Sequence, residues 1–300
     1  MASLFGGVFA ALITPIDSGG NVDLTALERV IEFVLERGVD GIVIGGATAE
    51  YPHFSVDERS AAITQAVRQA RGRKVIAAIG TSSIYSTLEL ARRAAAAGCD
   101  ALLIPMPYFF RYGQQDLAEF CKTICAPAPI PCLLYNLPSF TNVLEVETAL
   151  TLLRTIPNLA GIKDSSGNTA NLSALAGGRG EQPFSLLVGD DSLLLPALQA
   201  GWDGVVSGIA CFAPEAIVAL YRSYRAGQLD EAARRQRALN ELIDQIVQLP
   251  IPWGIRAGLM VRGVFNGPMH MPLSEERRSE MERLQGWLAD WLKTQNGKAR

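Results

Sequence analysis

A TIM (β/α)8 barrel, an α/β fold of eight parallel strands, with a C-terminal helical extension is the architecture this 300-residue sequence predicts. Three observations point to it. Short, continuously apolar stretches alternate with amphipathic ones, the pattern of strands covered on both faces by helices. The alternation runs through eight units in roughly 225 residues, the usual span of such a barrel. A phrase also recurs: Arg37-Gly-Val-Asp-Gly-Ile-Val-Ile44, Ala97-Gly-Cys-Asp-Ala-Leu-Leu-Ile104 and Ala200-Gly-Trp-Asp-Gly-Val-Val-Ser207. Each is a glycine closing a helix, a short turn, then an apolar strand. A doubly wound open sheet is the alternative, but no Gly-x-Gly-x-x-Gly follows the first strand.

In chain order, strands are expected near 7–14, 40–45, 74–80, 100–105, 131–136, 159–163, 184–188 and 203–207. The second, fourth and eighth are the strands of the recurring phrase. Helices are expected near 23–37, 56–71, 84–97, 115–125, 144–154, 169–176, 191–200 and 214–225. Further helical stretches at 230–248, 252–264 and 274–292 follow with no Ser/Gly-rich linker. This gives a barrel over 1–225 and an extension packed on it over 226–300.

A hydrophobic content of 49% is ample for a core, and a net charge of −3 without a basic block gives no reason to expect nucleic acid or a membrane surface as partner. No apolar run approaches the ~20 residues of a membrane span. Met1 to Ala10 lacks the charged start and long apolar core of a secretory signal. The odd, scattered set Cys99, Cys121, Cys125, Cys132 and Cys211 suits reduced thiols in the cytoplasm. Cys121 and Cys125, four apart, read as one core-facing helix edge. Two histidines, His53 and His270, leave little for a zinc site.

Barrel enzymes carry their chemistry at the C-terminal ends of the strands. At the end of the sixth, Asn158-Leu-Ala-Gly-Ile-Lys163 stops an apolar run on a lysine. An ammonium there is costly unless it has a partner or a task. A desolvated amine is the nucleophile that forms Schiff bases with carbonyl compounds. A salt-bridged or snorkelling lysine is the competing reading. The chain has only five lysines, and Lys74, Lys122, Lys293 and Lys298 all read as exposed. Tyr135, ending the neighbouring strand, would bring a phenol to the same mouth for proton transfer. The turn Gly45-Gly-Ala-Thr-Ala-Glu50 lets backbone N–H groups and the Thr48 hydroxyl meet a carboxylate. Glu50 reads as structural, and Asp190 and Asp191 as helix N-cap residues.

Taken together, Gly46-Ala-Thr-Ala-Glu50, Pro107-Tyr-Phe, Tyr135-Asn-Leu-Pro, Gly161-Ile-Lys-Asp and Gly189-Asp-Asp resemble the dihydrodipicolinate synthase/N-acetylneuraminate lyase family over about residues 5–295. The resemblance implies a barrel with C-terminal helices, usually a homotetramer (a dimer of dimers). It implies class I lyase chemistry through a lysine imine with pyruvate or another 2-oxo acid, with no metal or other cofactor. Lys163 matches the Schiff-base lysine, Tyr135 the proton-transfer tyrosine and Thr48 the carboxylate-binding threonine. Gly189 and Val206 match positions whose backbone lines the pocket. Three positions depart from the synthase pattern. Ser139-Phe140 stands where an arginine would hold a second carboxylate. Ala47 replaces a relay threonine, and Phe109 replaces the relay tyrosine that crosses a subunit interface.

These departures lean toward the branch acting on 2-keto-3-deoxy sugar acids or 4-hydroxy-2-oxo acids, with Ala47, Phe109 and Phe140 among the substrate-contacting positions. A 4-hydroxy-tetrahydrodipicolinate synthase is the alternative, with Arg111 able to rescue a dicarboxylate. A non-catalytic 2-oxo-acid binding protein and a metal-dependent lyase or hydrolase using Asp190, Asp191 and His53 complete the set.

Overall fold

The computed structural model describes residues 4–297. Residues 1–3 and 298–300, which the expected domain limits include, and Lys298 among them, lie outside the described residues. Eight parallel strands close in sequence order: β1 Gly7–Ala11, β2 Gly41–Ile44, β3 Lys74–Ala78, β4 Ala101–Pro105, β5 Cys132–Asn136, β6 Leu159–Asp164, β7 Ser185–Val188 and β8 Gly204–Ser207, which pairs back with β1. Eight helices alternate with them: α1 Leu24–Glu36, α2 Val56–Gln69, α3 Ile84–Ala97, α4 Gln114–Cys125, α5 Val146–Thr155, α6 Thr169–Arg179, α7 Leu194–Gln199 and α8 Pro214–Arg225. Then come α9 Leu229–Ile246, α10 Trp253–Val261 and α11 Glu275–Gly297. The fold is a TIM barrel, as the alternation predicts.

Several boundaries differ from expectation: α7 starts at Leu194 and not 191, α10 ends at Val261 and not 264, and α11 runs to Gly297 and not 292, while two others have a local reason. β1 stops at Ala11 instead of running to 14, because only the Leu12 N–H, bonded to Val43 O at 3.0 Å, continues the ladder before the Thr14-Pro15 turn. α6 runs on through Gly177-Gly178, residues that weaken a helix. Gly178 lets α5 pack close: an added Cβ would lie 2.2 Å from Leu150 Cδ1, and that side chain would have to move.

The recurring phrase has a mechanical meaning. Gly38, Gly98 and Gly201 sit at φ 82°, 97° and 87°, the left-handed turn that ends a helix without a Cβ clash. The aspartate two residues later then accepts an N–H from the preceding strand. Asp40 takes Val8 N at 2.8 Å, Asp100 takes Val75 N at 2.7 Å and Asp203 takes Leu186 N at 2.8 Å. These clasps tie strand pairs at the floor of the barrel, away from the mouth. Inside the barrel, Phe5, Phe9, Val43, Ile76, Leu103 and Leu133 fill the lower layers. The helices cover the outer faces of the strands, where Cys121 and Cys125 lie fully buried in the helix layer with Cys121 Sγ 3.8 Å from Met106 Sδ.

The extension is fastened to the mouth by one buried ion pair. Arg256 of α10, fully buried, donates from Nε and Nη2 to Glu50 Oε2 at 3.1 and 2.8 Å, and from Nη2 to Thr14 O at 2.8 Å. Glu50 holds a left-handed φ of 53°, unusual for a side-chain-bearing residue. Its structural role is thus to join the turn after β2 to the C-terminal helices. Removing one partner of such a pair leaves a buried charge unanswered, at a cost of about 3–5 kcal/mol. Arg256→Ala should lower the urea midpoint accordingly. Glu50→Gln combined with Arg256→Met should recover a large part of the loss. Additive losses in the double variant, measured by equilibrium unfolding, would contradict the pairing.

Candidate active site

The end of β6 decides which way Lys163 points. β5 and β6 pair Cys132 with Leu159 but Leu133 with Gly161, so Ala160 has no partner and forms a bulge. Leu159 packs outward among the helices, Ala160 against the barrel interior and Ile162 outward again. Lys163 therefore faces inward, beside Tyr135 in the ladder. A Cβ on Gly161 would lie 2.3 Å from Ser185 O, so only glycine fits this crossing.

Lys163 and Tyr135 are both buried, and Lys163 Nζ donates to Tyr135 Oη at 3.1 Å. The ammonium also lies 4.2 Å from the tyrosine ring centre. The next layer fixes both strand ends. Asp164 accepts from Asn136 Nδ2 at 2.8 Å, from Ser166 N at 2.9 Å and from Asn171 Nδ2 at 3.3 Å, while Asn136 Oδ1 accepts from Leu144 N at 3.0 Å. These bonds satisfy a buried carboxylate and hold the residues flanking the lysine and the tyrosine.

The pair lies at the bottom of a cavity of about 360 Å³ at the C-terminal mouth. Ala47, Thr48, Phe140, Gly189 and Val206 line it too. Gly189 gives the lysine its room: a Cβ there would lie 2.6 Å from Lys163 Cε and closer still to Ser165 Oγ. Arg59 of α2 ties the end of β3 to the turn at 45–50, donating to Gly80 O at 2.6 Å, Ala78 O at 2.7 Å and Gly45 O at 3.4 Å. Burial pulls its pKa down to about 10.

Phe109 stands outside the cavity. It sits at φ 76° on the loop after β4, is 88% exposed and packs edge-on against Phe110. Arg111 is exposed and absent from the cavity lining; Tyr108 is half-buried, packs edge-on against Tyr51 and is absent from the lining too. The proposed grouping of Asp190, Asp191 and His53 is not assembled. His53 instead stacks on His270 at 4.8 Å and lies outside the cavity. Among the described residues no group of three or more His, Cys, Asp or Glu is arranged to hold a metal ion.

The two aspartates take different roles. Asp190 is the cap: its Oδ1 accepts from Ser192 N at 3.0 Å and Ser192 Oγ at 2.7 Å. Asp191 lines the cavity instead, bonded to Ser207 and to the Ile209 backbone, with Oδ1 unpartnered. Burial pushes its pKa up to about 6, against the pull of Ser207, Ile209 and Lys163. Ser165 Oγ is a second buried, unpartnered polar atom here. In the sequence Asp191 reads first as a cap and otherwise only as part of a metal grouping with Asp190 and His53, and Ser165 is one of many loop serines.

A carboxyl whose folded pKa lies above its unfolded value destabilises the fold when ionised. Asp191 therefore contributes most below about pH 4, and that contribution is lost as pH rises through about 6. Asp191→Asn should stabilise the protein at pH 7 by about 1–3 kcal/mol, and not at pH 4. Urea titrations at both pH values check this, and an equal effect at the two would contradict it.

The dihydrodipicolinate synthetase family pattern matches residues 4–290. A 4-hydroxy-tetrahydrodipicolinate synthase of Bacillus subtilis (strain 168) is 33% identical over 271 residues, covering 90% of this chain and 93% of its own. The crystal structure of dihydrodipicolinate synthase from Aquifex aeolicus superposes with a TM-score of 0.90 at 31% identity, covering 96% of this chain and 98% of its own. YagE, a prophage protein of the dihydrodipicolinic acid synthase family from E. coli K12, solved in complex with pyruvate, gives 0.88 at 27%, covering 95% and 99%. With the barrel, the buried lysine and these likenesses together, the chain belongs to the dihydrodipicolinate synthetase family of Schiff-base, pyruvate-dependent class I lyases.

Proposed function

We propose that this chain is a metal-independent class I lyase that makes or breaks a carbon–carbon or carbon–oxygen bond beside the carbonyl of a 2-oxo acid such as pyruvate. The observation that carries the reading is the Lys163 amine on the floor of a cavity, 3.1 Å from the Tyr135 phenol. Among the described residues Lys163 is the one cation in the lining. Lys122 and Lys293 pair with Glu119 and Asp290 on the surface, and Lys74 donates to Leu4 O at 2.6 Å.

In this reading the amine adds to the C2 carbonyl, the carbinolamine loses water, and an iminium remains. The positive nitrogen acidifies the neighbouring C3–H. Loss of that proton gives an enamine, which attacks an aldehyde carbon, and hydrolysis releases product; cleavage runs the same steps backward. Tyr135 carries protons to and from the carbinolamine oxygen. Thr48 and the backbone of 45–49 take the carboxylate, with Gly189 and Val206 shaping the floor. Ser165 supplies a hydroxyl where Ala47 and Phe109 supply none. The helices from residue 226 onward serve as an extension of the barrel that completes the cavity wall. A cytoplasmic homotetramer is part of the proposal, and the five buried free cysteines suit a reducing compartment.

The names of the relatives favour a second reading, 4-hydroxy-tetrahydrodipicolinate synthesis. Against it, Phe140 occupies the rim where a guanidinium would hold a second carboxylate, and Asp190 and Asp191 add negative charge. A neutral partner, as in 2-keto-3-deoxy sugar acids or 4-hydroxy-2-oxo acids, suits the lining better.

Incubation with pyruvate and borohydride should fix one pyruvate on Lys163, and Tyr135→Phe should slow turnover by about 10²–10⁴-fold. Modification elsewhere, no modification, or a fully active phenylalanine variant would refute the mechanism. Aspartate semialdehyde should fall roughly ten- to a hundredfold below neutral partners in kcat/KM, for want of a charge-assisted hydrogen bond of about 1.5–3 kcal/mol. Efficient condensation with aspartate semialdehyde, and no activity on neutral partners, would establish the second reading instead.

A further inference from the structure

The cavity has a polar floor and an apolar rim. Of its lining residues four are exposed: Ser139, Phe140, Val247 and Ile251. Three of these are large and apolar, and Phe140, Val247 and Ile251 are 57, 56 and 56% exposed. Phe140 comes from the loop after β5, Val247 from the end of α9 and Ile251 from the link to α10, so the rim closes from two separate parts of the chain. Beneath it, Ile243 and Ile246 of α9 and Leu137 continue the apolar surface inward. Single exposed apolar side chains are ordinary; several gathered at one cavity mouth mark a place where a ligand covers them.

The polar groups lie elsewhere. Lys163, Tyr135 and Thr48 are buried at the floor, and the free oxygens of Ser165 and Asp191 are themselves buried. Asp190 and Ser192 are bonded to each other. A molecule reaching from Lys163 to solvent therefore meets polar partners at its 2-oxo acid end and hydrocarbon at its far end.

We propose that the second substrate is an aldehyde with an apolar tail, aryl or branched alkyl, so that the product is a 4-hydroxy-2-oxo acid carrying that tail on C4. The inference rests on the imine reading above and narrows it. In the condensation a C3–H bond of pyruvate breaks and a C3–C4 bond forms to the aldehyde carbon. The aldehyde oxygen takes a proton to become the C4 hydroxyl, so nothing is oxidised or reduced. A polyhydroxylated or charged tail would exchange water for Phe140, Val247 and Ile251 without gaining a hydrogen bond from them.

The test compares kcat/KM for benzaldehyde and 3-methylbutanal with that for glyceraldehyde and aspartate semialdehyde, each with pyruvate. The apolar aldehydes should lead by about tenfold or more, the scale on which apolar pockets discriminate. Val247→Asp combined with Ile251→Asp, at positions exposed enough to accept charge, should cut the benzaldehyde-to-glyceraldehyde ratio by about tenfold. A wild-type preference for glyceraldehyde or aspartate semialdehyde, equal use of all four, or a ratio unmoved in the double variant would overturn the inference. Borohydride trapping of pyruvate on the wild-type enzyme separates the two levels. An adduct with the wrong aldehyde preference defeats this inference alone; no adduct defeats the imine reading and this inference with it.

Discussion

A single unpaired residue in the β5–β6 ladder sets the direction of Lys163. Strands alternate faces strictly, so a shift of one residue moves every following side chain to the other side. Leu159 must pack outward among the helices. Without the bulge at Ala160, the same parity would turn Lys163 outward as well and bring Ile162 into the cavity. The bulge lets Leu159 and Ile162 both join the helix layer while Lys163 turns inward to Tyr135. Bulges of this kind often re-aim side chains at functional sites. Gly161 and Gly189 make it possible, the first by letting β7 approach and the second by leaving space for the lysine stem.

Around that point the polar groups are arranged in tiers. Asp164, Asn136, Ser166 and Asn171 satisfy one another behind the site, so the strand ends are held without involving Lys163 or Tyr135. Further out, Glu50 and Arg256 couple the turn bearing Thr48 to α10. The same helix presents Ile255 beside Gly208, where an added Cβ would meet both the Ile255 side chain and Thr48 Oγ1. The extension is therefore both a fastening and a wall: the residues that bind it to the barrel lie next to those that shape the cavity.

Much of this was legible in the sequence. Continuous apolar strands, helix-ending glycines and the sixth-strand lysine are local signals; they predicted the barrel and singled out Lys163 and Tyr135, which the fold brings side by side. Glu50 was readable as structural, yet its partner was not. Arg256 lies 206 residues away in a helix whose other residues are mostly apolar, and a buried arginine there has no local signature. Asp191 stands next to a true cap and shares its composition, so only the fold separates a capping carboxylate from a cavity one. Ala160 reads as one more small residue in a strand; its role depends on register, which arises between strands and not within one. The rim was half visible: Phe140 was read by position, whereas Val247 and Ile251 look like the ordinary apolar residues of a helix end.

The floor clasps fasten the barrel in a way the mouth does not reveal. Asp40 binds β2 to β1, Asp100 binds β4 to β3, and Asp203 binds β8 to β7. At the start of β6 the corresponding position is Asn158, which reaches Cys125 O at 2.7 Å at the end of the helix leading into β5. Three of the four even-numbered strands are thus secured to their odd-numbered predecessors by one aspartate each, whereas the side chain ahead of β6 ties to the end of α4 instead. Other bonds at the base run between these pairs: Ser185 of β7 accepts from Phe5 N at 2.9 Å, and Lys74 of β3 donates to Leu4 O at 2.6 Å. The aspartate clasps lie within pairs and the Ser185 and Lys74 bonds between them, so the base of the ring is stitched in both directions by side chains that take no part in the mouth.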